Sequence, residues 1–368
     1  MLNPYLVMGC GTGDFVTVTS NRRGVTDWLR RYFGLWWYAK TEAEPYGNRV
    51  HADVNTSALA ELTEAAAAPG CQSTLYGATP ITHRTTPTGD IIAVQRSAQL
   101  AYRYTPGGPL RVVGADPLPV ARAAARLARE RLRASLLSSG WSLLHASAVA
   151  DWNGDAVLAL GPDGAGKATT ALTLTHSGAW DLISTSRLFV MPAREGVRVL
   201  PWPASTAIGV GYLQAAGLYE SVAWQLQRGA ELHPATDPRV SRALLDRRRL
   251  PVRDALGREA KPRFHPRMLP EHLALPIKAR GRAMRLLFPT LDPDRGPDAH
   301  QGGRLVGMDD VVQPGRDRYP DIFGLLPTDT IAADDLAILA LNRLPRHALT
   351  LGHDFPGNQE LLTKVTTA

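Results

Sequence analysis

The order of hydrophobic and polar residues predicts several short elements in the first part of the chain. Residues 14–19 (DFVTVT) alternate apolar and polar side chains, as a half-buried strand does. Residues 25–39 (VTDWLRRYFGLWWYA) repeat large apolar side chains at helical spacing, which is typical of a packed helix face. Strand-like segments between Gly and Pro turns follow: STLYGA, DIIAVQR, LAYRYT and LRVVGA. Residues 1–115 are therefore predicted to form a small α+β amino-terminal domain, to which no motif assigns a role.

A long helix is predicted next. Residues 117–140 (PLPVARAAARLARERLRASLLSSG) open with Pro, are rich in Ala, Leu and Arg, and end at Gly140. We expect this helix to link two domains over residues 116–142.

The pattern then changes to apolar strands around a glycine-rich loop. Residues 143–150 (LLHASAVA), a polar turn and the run AVLAL precede GPDGAGKATT at 161–170. Strand, glycine loop and helix follow in the order that a P-loop requires. The strands DLIST, RLFVM and VRVLPW continue an α/β core over residues 143–290, which becomes helical and Pro-broken beyond about residue 206. Residues 291–368 are predicted to contain a long loop, rich in Gly, Pro and Asp, and a C-terminal helical segment.

Composition distinguishes one lysine from the general positive charge. The chain has 41 basic and 34 acidic residues and a formal net charge of +7, yet only five of the basic residues are Lys. Lys167, inside the glycine-rich loop, therefore stands out. Much of the remaining positive charge lies in the Arg-rich residues 239–270, which attract phosphates or an acidic partner, or simply form a solvated helix and loop. Because few aromatic side chains accompany these Arg residues, nucleic acid is not the expected partner.

The chain shows no sign of a disulfide framework, a metal site or a membrane anchor. Cys10 and Cys71 are the only cysteines and lack metal-ligand spacing, so we expect two reduced thiols. No run of 18 or more apolar residues occurs, and the first residues lack a basic leader and a cleavage site. These features predict a cytoplasmic protein without a membrane partner.

The glycine-rich loop carries the residues expected to contact phosphate. A P-loop turns backbone N–H groups toward the phosphates beside a helix N-terminus, and Gly allows the close approach. Lys167 adds a positive charge that reaches the β- and γ-phosphates. The predicted phosphate-binding residues are Gly161, Asp163, Gly164, Ala165, Gly166, Lys167, Ala168 and Thr169. The alternative is a turn that only joins a strand to a helix.

Residues 143–190 (LLHASAVADWNGDAVLALGPDGAGKATTALTLTHSGAWDLISTSRLFV) resemble the catalytic core of HPr kinase/phosphorylase and its HPr-kinase-like relatives. In that family a His and a small residue precede the strand, a loop G-x-S-G-x-G-K-S follows, and the next strand ends in an acidic pair. The resemblance implies an α/β P-loop core, built as a mixed sheet with flanking helices, that uses ATP with Mg²⁺ to phosphorylate a Ser-like hydroxyl. The acceptor would be a peptide, a protein or a small molecule. The family's ring-shaped oligomers imply a homo-oligomer.

This chain departs from the family pattern where the metal and the base are expected. Ala168 replaces the hydroxyl residue that holds Mg²⁺, and Thr169 does not substitute, since one helical step turns its side chain by about 100°. Thr185 and Ser186 occupy the positions of the acidic pair, which in the family supplies a general base and a metal ligand. ATP binding is therefore expected, whereas Mg²⁺ is left open.

Several other side chains are candidates for the missing base. His145 matches the family's His, Asp163 lies in the loop where the family has Ser, and Asp181 begins the next strand. Asp309 and Asp310 lie in the long loop, which would close over the site if it acted as a lid. Each also has a structural alternative, such as bracing the turn, capping the strand or facing solvent. Two main hypotheses follow: an ATP-dependent phosphotransferase with rearranged catalytic groups, and a pseudokinase that binds a nucleotide, another phosphate ligand or a partner without transfer. A third is that the loop serves a different reaction, on a phosphorylated substrate and without Mg²⁺.

Overall fold

A computed structural model describes residues 5–313, 315 and 317–367. The chain is a mixed α/β protein with two large mixed sheets and flanking helices. It divides into two compact units, here the first unit (Met1–Gly140 and Val312–Thr330) and the second unit (Trp141–Val311 and Ile331–Ala368). No helix in the described ranges is both long and apolar enough to cross a membrane.

The first unit contains a nine-stranded sheet in the described part of the chain, in the order β3-β1-β2-β4-β9-β8-β7-β6-β5. Strand β4 is parallel to β2 and β9, and the other pairs are antiparallel. The elements are β1 (Tyr5–Gly9), β2 (Phe15–Thr19), α1 (Arg23–Phe33), β3 (Lys40–Glu42), β4 (Asn48–Val54), α2 (Thr56–Ala65), β5 (Gln72–Tyr76), β6 (Thr79–Thr85), β7 (Ile91–Gln95), β8 (Leu100–Tyr104), β9 (Leu110–Gly114) and α3 (Pro117–Ser138).

Helices cover both faces of this sheet. Helix α2 packs on an apolar cluster that includes Ala101. The Arg126 side chain of α3 donates a hydrogen bond to the hydroxyl of Tyr102, 2.7 Å away. Because neighbouring residues of a strand point to opposite faces, α2 and α3 lie on opposite sides of β8.

Helix α3 is the long helix that its Ala-, Leu- and Arg-rich sequence predicts, and it packs within the first unit against β2, β4, β9 and α1. Residues 312–330, which fall inside the segment predicted as a C-terminal loop, belong to the same unit. The first unit is thus larger than residues 1–115, because a remote segment completes it. The backbone N–H of Gly77 donates to the carbonyl of Arg318, and Tyr319 packs edge-on against Tyr76.

The second unit is built on the central strand β18, which is parallel to β12 on one side and to β20 on the other. The strand order is β10-β14-β15-β18-β12-β11-β13, with β19 joined through β20. The elements are β10 (Ser142–Leu144), β11 (Ala146–Ala150), β12 (Asp155–Leu160), α4 (Lys167–His176), β13 (Asp181–Ser184), β14 (Leu188–Ala193), β15 (Gly196–Pro201), β16 (Thr206–Ala207), α5 (Val210–Ala215), α6 (Tyr219–Gln227), α7 (Pro238–Leu245), β17 (Arg263–Phe264), α8 (Met268–Leu273), β18 (Gly281–Leu291), β19 (Asp298–Gln301), α9 (Ile331–Leu341), β20 (Arg346–Leu351) and α10 (Phe355–Thr367).

Both faces of β12 are covered by helices, which explains why the strand is apolar along its whole length. Leu158 and Leu160 join a buried cluster that also contains Ala337 and Leu341 of α9. Helix α4 packs on β11, β12 and β13. A strand covered on both faces reads as a continuous apolar run, as AVLAL does.

The region 290–321 is not the single long loop that its Gly, Pro and Asp content predicts. Strand β18 continues to Leu291, β19 pairs with β20, and a 3₁₀ turn spans Met308–Asp310. Pairing with β20, which is remote in sequence, outweighs the local preference for a loop.

Candidate functional site

The glycine-rich loop joins the end of β12 to the start of α4, and three of its glycines have positive φ angles. Gly161, Gly164 and Gly166 have φ values of 153°, 86° and 104°. A Cβ atom at Gly166 would lie 3.0 Å from Cγ of Leu291, and one at Gly161 would lie 3.0 Å from Cβ of Ala165. Gly164 has open space around it. The backbone conformation therefore favours Gly at all three positions, and close packing adds to this at 161 and 166.

Helix α4 begins directly at the loop and has ten residues. Its first backbone hydrogen bond runs from the N–H of Thr170 to the carbonyl of Gly166, at 2.8 Å. The Thr170 hydroxyl donates to the same carbonyl, at 3.0 Å. In this described helix the N-cap has no side-chain hydrogen bond and the first turn has no acidic residue. The loop thus ends at a helix N-terminus whose dipole favours an anion.

The Lys167 ammonium lies inside the loop. Its Nζ donates to the carbonyls of Gly161 and Pro162, at 2.7 and 2.8 Å. It also lies 3.9 Å from Oδ1 of Asp163, a carboxylate that is fully exposed. Burial lowers the pKa of Lys167, and the positive charge of Arg304 lowers it further. The negative charges of Asp163 and Asp310 raise the same pKa and so oppose the effect of burial. Asp310 and Arg304 are therefore close enough to act electrostatically on the loop lysine.

Sheet register explains how His145 and Asp310 reach the loop. Ala146 of β11 pairs with Leu160 of β12, so the residues next to them, His145 and Gly161, are neighbours across the antiparallel pair. The backbone N–H of His145 donates to the carbonyl of Asp310, at 2.7 Å. The preceding residue, Leu144, forms a bridge with Val311. The backbone at residues 144 and 145 thus contacts the 3₁₀ turn and is also the neighbour of Gly161, the first residue of the loop.

The Asp310 carboxylate is buried and held by Arg304. Asp310 is 4% exposed. Arg304 donates from Nη1 to Oδ2 at 2.7 Å and from Nη2 to Oδ1 at 2.6 Å, and the N–H of Gly307 donates to Oδ2 at 3.1 Å. The Arg304 guanidinium lies 4.8 Å from the ring centre of Phe288. This bidentate, partly desolvated pair has a defined geometry beside Lys167.

The structure does not bring Asp181 to the loop. Asp181 pairs with Ala150, whereas the loop begins opposite Ala146, at the other end of β11. Four residues of strand separate these positions by about 13 Å. Asp181 is therefore not a candidate base for chemistry at Lys167.

Thr185 and Ser186 lie nearer the loop but offer no carboxylate. They follow the end of β13 that pairs with Ala148. The Ser147 hydroxyl donates to the carbonyl of Thr185 at 2.8 Å, and the Thr185 and Thr206 hydroxyls lie 3.4 Å apart. These residues are neutral hydroxyl groups, which are weak Mg²⁺ ligands and poor bases near neutral pH.

The residues present do not fit a magnesium site of the kind that the family resemblance implies. Ala168 has no side-chain oxygen, and both carboxylate oxygens of Asp310 are bonded to Arg304. Among the described residues, no group of three or more His, Cys, Asp or Glu is arranged to hold a metal ion. The positive charge at the loop comes instead from the two side chains Lys167 and Arg304.

Sequence reasoning singled out Asp310 but missed Arg304. The signal in the sequence was weak, since Arg304 is one arginine among many and lies six residues before Asp310 in a Gly-rich segment. Only the folded chain shows that the two side chains form a pair.

No protein-family model matches the chain, and a search of the curated proteins finds no significant match.

Proposed function

We propose that this protein is an HPr-kinase-like P-loop phosphotransferase, which binds ATP at residues 161–169 and phosphorylates a hydroxyl of a peptide, a protein or a small molecule. The observation that carries the proposal is the loop itself. Three glycines with positive φ lie between a buried strand and a helix N-terminus, with the Lys167 ammonium inside the turn. Backbone amides, a helix dipole and a lysine form the usual binding site for nucleotide phosphates.

In the proposed reaction, the acceptor hydroxyl loses its proton to a base while its oxygen attacks the γ-phosphorus, and ADP leaves. Lys167 and Arg304 stabilise the negative charge that develops on the phosphate oxygens. Of the candidate bases at the loop, Asp163 is fully exposed to solvent, which leaves His145 and the buried Asp310. An imidazole titrates near neutral pH, which suits it to this role. Asp310 must first exchange its bonds to Arg304 for bonds to substrate.

The second candidate function is nucleotide or phosphate binding without transfer. A specific observation favours it, namely that Ala168, Thr185 and Ser186 replace the metal-binding and basic groups together. The bonds of Asp310 to Arg304 are a second reason, because they occupy both oxygens of a buried carboxylate whose charge acts on Lys167. A pseudokinase would keep the phosphate-binding loop while losing the metal.

Calorimetry of ATP binding, with Mg²⁺ and with EDTA, tests the shared part of both functions. We expect Lys167→Ala to abolish binding, because the ammonium is the charge inside the loop. Lys261→Ala, which removes an exposed lysine outside the loop, is the matched control and should bind as the wild type does. If neither the wild type nor the control binds ATP, the P-loop proposal is wrong.

ADP release in the presence of candidate acceptors separates transfer from binding. Turnover by the wild type supports the phosphotransferase, and its loss in His145→Gln or Asp310→Asn identifies the base. Turnover that appears only in the double variant Ala168→Ser, Ser186→Asp supports the pseudokinase. Sedimentation of the wild type tests the predicted self-association separately.

A further inference from the structure

A groove of about 900 Å³ lies in the second unit, between helix α7 and the segment that follows it. Four arginines line it, Arg239, Arg242, Arg248 and Arg249, and the remaining lining residues are apolar. No acidic residue is among the residues that line it. The groove is therefore both positively charged and apolar, and the P-loop site uses none of its residues.

The charge of this surface exceeds what its own carboxylates neutralise. Residues 237–259 contain seven Arg, three Asp and one Glu. Arg239, Arg248 and Arg249 each contact a carboxylate at 2.7–3.1 Å, with arginine side chains that are 62–71% exposed. Arg242 forms no salt bridge within the described residues. Exposed ion pairs contribute little free energy, so carboxylates of a partner can replace the internal ones at little cost.

Large apolar side chains are exposed on the same part of the chain. Leu250, which lines the groove, is 83% exposed, and Leu256 is 74% exposed. Leu245, at the end of α7, and Trp224 of the adjacent α6 are also exposed. Apolar side chains clustered beside Arg are typical of a protein interface, where aromatic residues and Arg are enriched.

We propose that this arginine groove binds an acidic peptide segment with interspersed apolar side chains. Carboxylates of the segment pair with Arg242 and its neighbours, and its apolar side chains cover Leu250. A nucleic acid fits less well, because the residues that line the groove provide no aromatic ring for base stacking. This proposal does not depend on the proposed function of the P-loop.

Fluorescence anisotropy tests the groove with defined probes. The probe is a fluorescein-labelled peptide of alternating Glu and Leu, and the comparison probes are a Lys-Leu peptide, a Glu-Ser peptide and an oligouridylate of equal length. We expect the full-length protein to bind the Glu-Leu peptide at least about tenfold more tightly than any comparison probe, with an affinity that falls as salt rises. Equally tight binding of the Glu-Ser peptide or of the oligouridylate would show that negative charge alone determines binding, and would overturn the proposal.

Two variants locate the binding site. Arg242→Glu with Arg249→Glu should weaken Glu-Leu binding at least about tenfold, because like charges then face the peptide. Leu250→Ser should weaken binding of the Glu-Leu peptide but not binding of the Glu-Ser peptide. Arg22→Glu with Arg96→Glu, two exposed arginines of the first unit, is the control of equal charge change. An equal loss in this control would overturn the assignment to the groove.

ATP binding by the same proteins separates this proposal from the proposed function. The groove variants should bind ATP and melt as the wild type does, which excludes misfolding. Lys167→Ala should lose ATP binding but still bind the Glu-Leu peptide. If the wild type binds ATP but not the Glu-Leu peptide, only the groove proposal fails, and if it binds the peptide but not ATP, only the P-loop proposal fails.

Discussion

Substitution of Gly166 by Ala tests the loop geometry most directly, because a neighbouring glycine provides a matched control. Gly166 has φ +104°, and a Cβ atom there would lie 3.0 and 3.1 Å from Cγ and Cδ2 of Leu291. Gly164 has φ +86° and nothing within 4 Å of the same added atom. The two substitutions therefore share backbone strain, while only one of them introduces a clash.

The expected magnitudes follow from these two differences. A positive φ costs a non-Gly residue about 1–2 kcal/mol, and the loss of chain entropy in the unfolded state returns about 0.4–1 kcal/mol. Gly164→Ala should thus lower the free energy of unfolding by about 1 kcal/mol. Because carbon atoms prefer about 3.5–4.0 Å, Gly166→Ala also forces Leu291 to move, and since this side chain is 44% exposed the move adds only about 1 kcal/mol. We expect a total of about 2 kcal/mol for Gly166→Ala.

Urea denaturation of both variants, with amide hydrogen exchange along α4, measures these free energies locally. ATP binding by calorimetry should fall more in Gly166→Ala than in Gly164→Ala, because the displaced backbone belongs to the phosphate site. Equal stability losses in the two variants, within about 0.5 kcal/mol, would refute the packing of Leu291 against the loop.

Three further outcomes follow from other contacts. Asp310→Asn should lower the free energy of unfolding by about 1.5–3 kcal/mol in urea denaturation, since it removes the charge that Arg304 binds. It should also lower the pKa of Lys167, measured by NMR titration, because Asp310 raises that pKa. In the first unit, Arg133 and Asp317 form an ion pair at 3.1 Å with both side chains 1% exposed. Because Glu130 also pairs with Arg133, at 3.3 Å, Asp317→Ala should cost about 1.5–3 kcal/mol in urea denaturation, and a loss below about 0.5 kcal/mol would contradict the pairing. Burial, aided by Arg111, lowers the pKa of His51, so the unfolded state binds more protons and stability falls as pH drops below about 6.5. His51→Gln should flatten this pH dependence in denaturation curves, and an unchanged slope would contradict it.

The sequence by itself determined the elements whose signals are local. The spacing of the glycines and Lys167 predicted the loop between a strand and a helix, and the structure has β12, positive φ angles at those glycines and α4. The Ala- and Arg-rich run predicted α3, because helix propensity depends on residues close in sequence. Phosphate binding by this loop stays a prediction.

The tertiary structure decided which distant side chains meet the loop. Asp181 begins the strand that follows the loop helix α4 in sequence. Antiparallel pairing nevertheless places it opposite Ala150, at the end of β11 that lies away from the loop. Asp310, far along the chain, lies beside His145 through one backbone hydrogen bond, and Arg304 comes with it. The arginine-rich segment was visible in the sequence, but only the folded chain shows that α7 and the residues after it line a groove. Strand register and packing depend on contacts between remote residues, which no local pattern of side chains specifies.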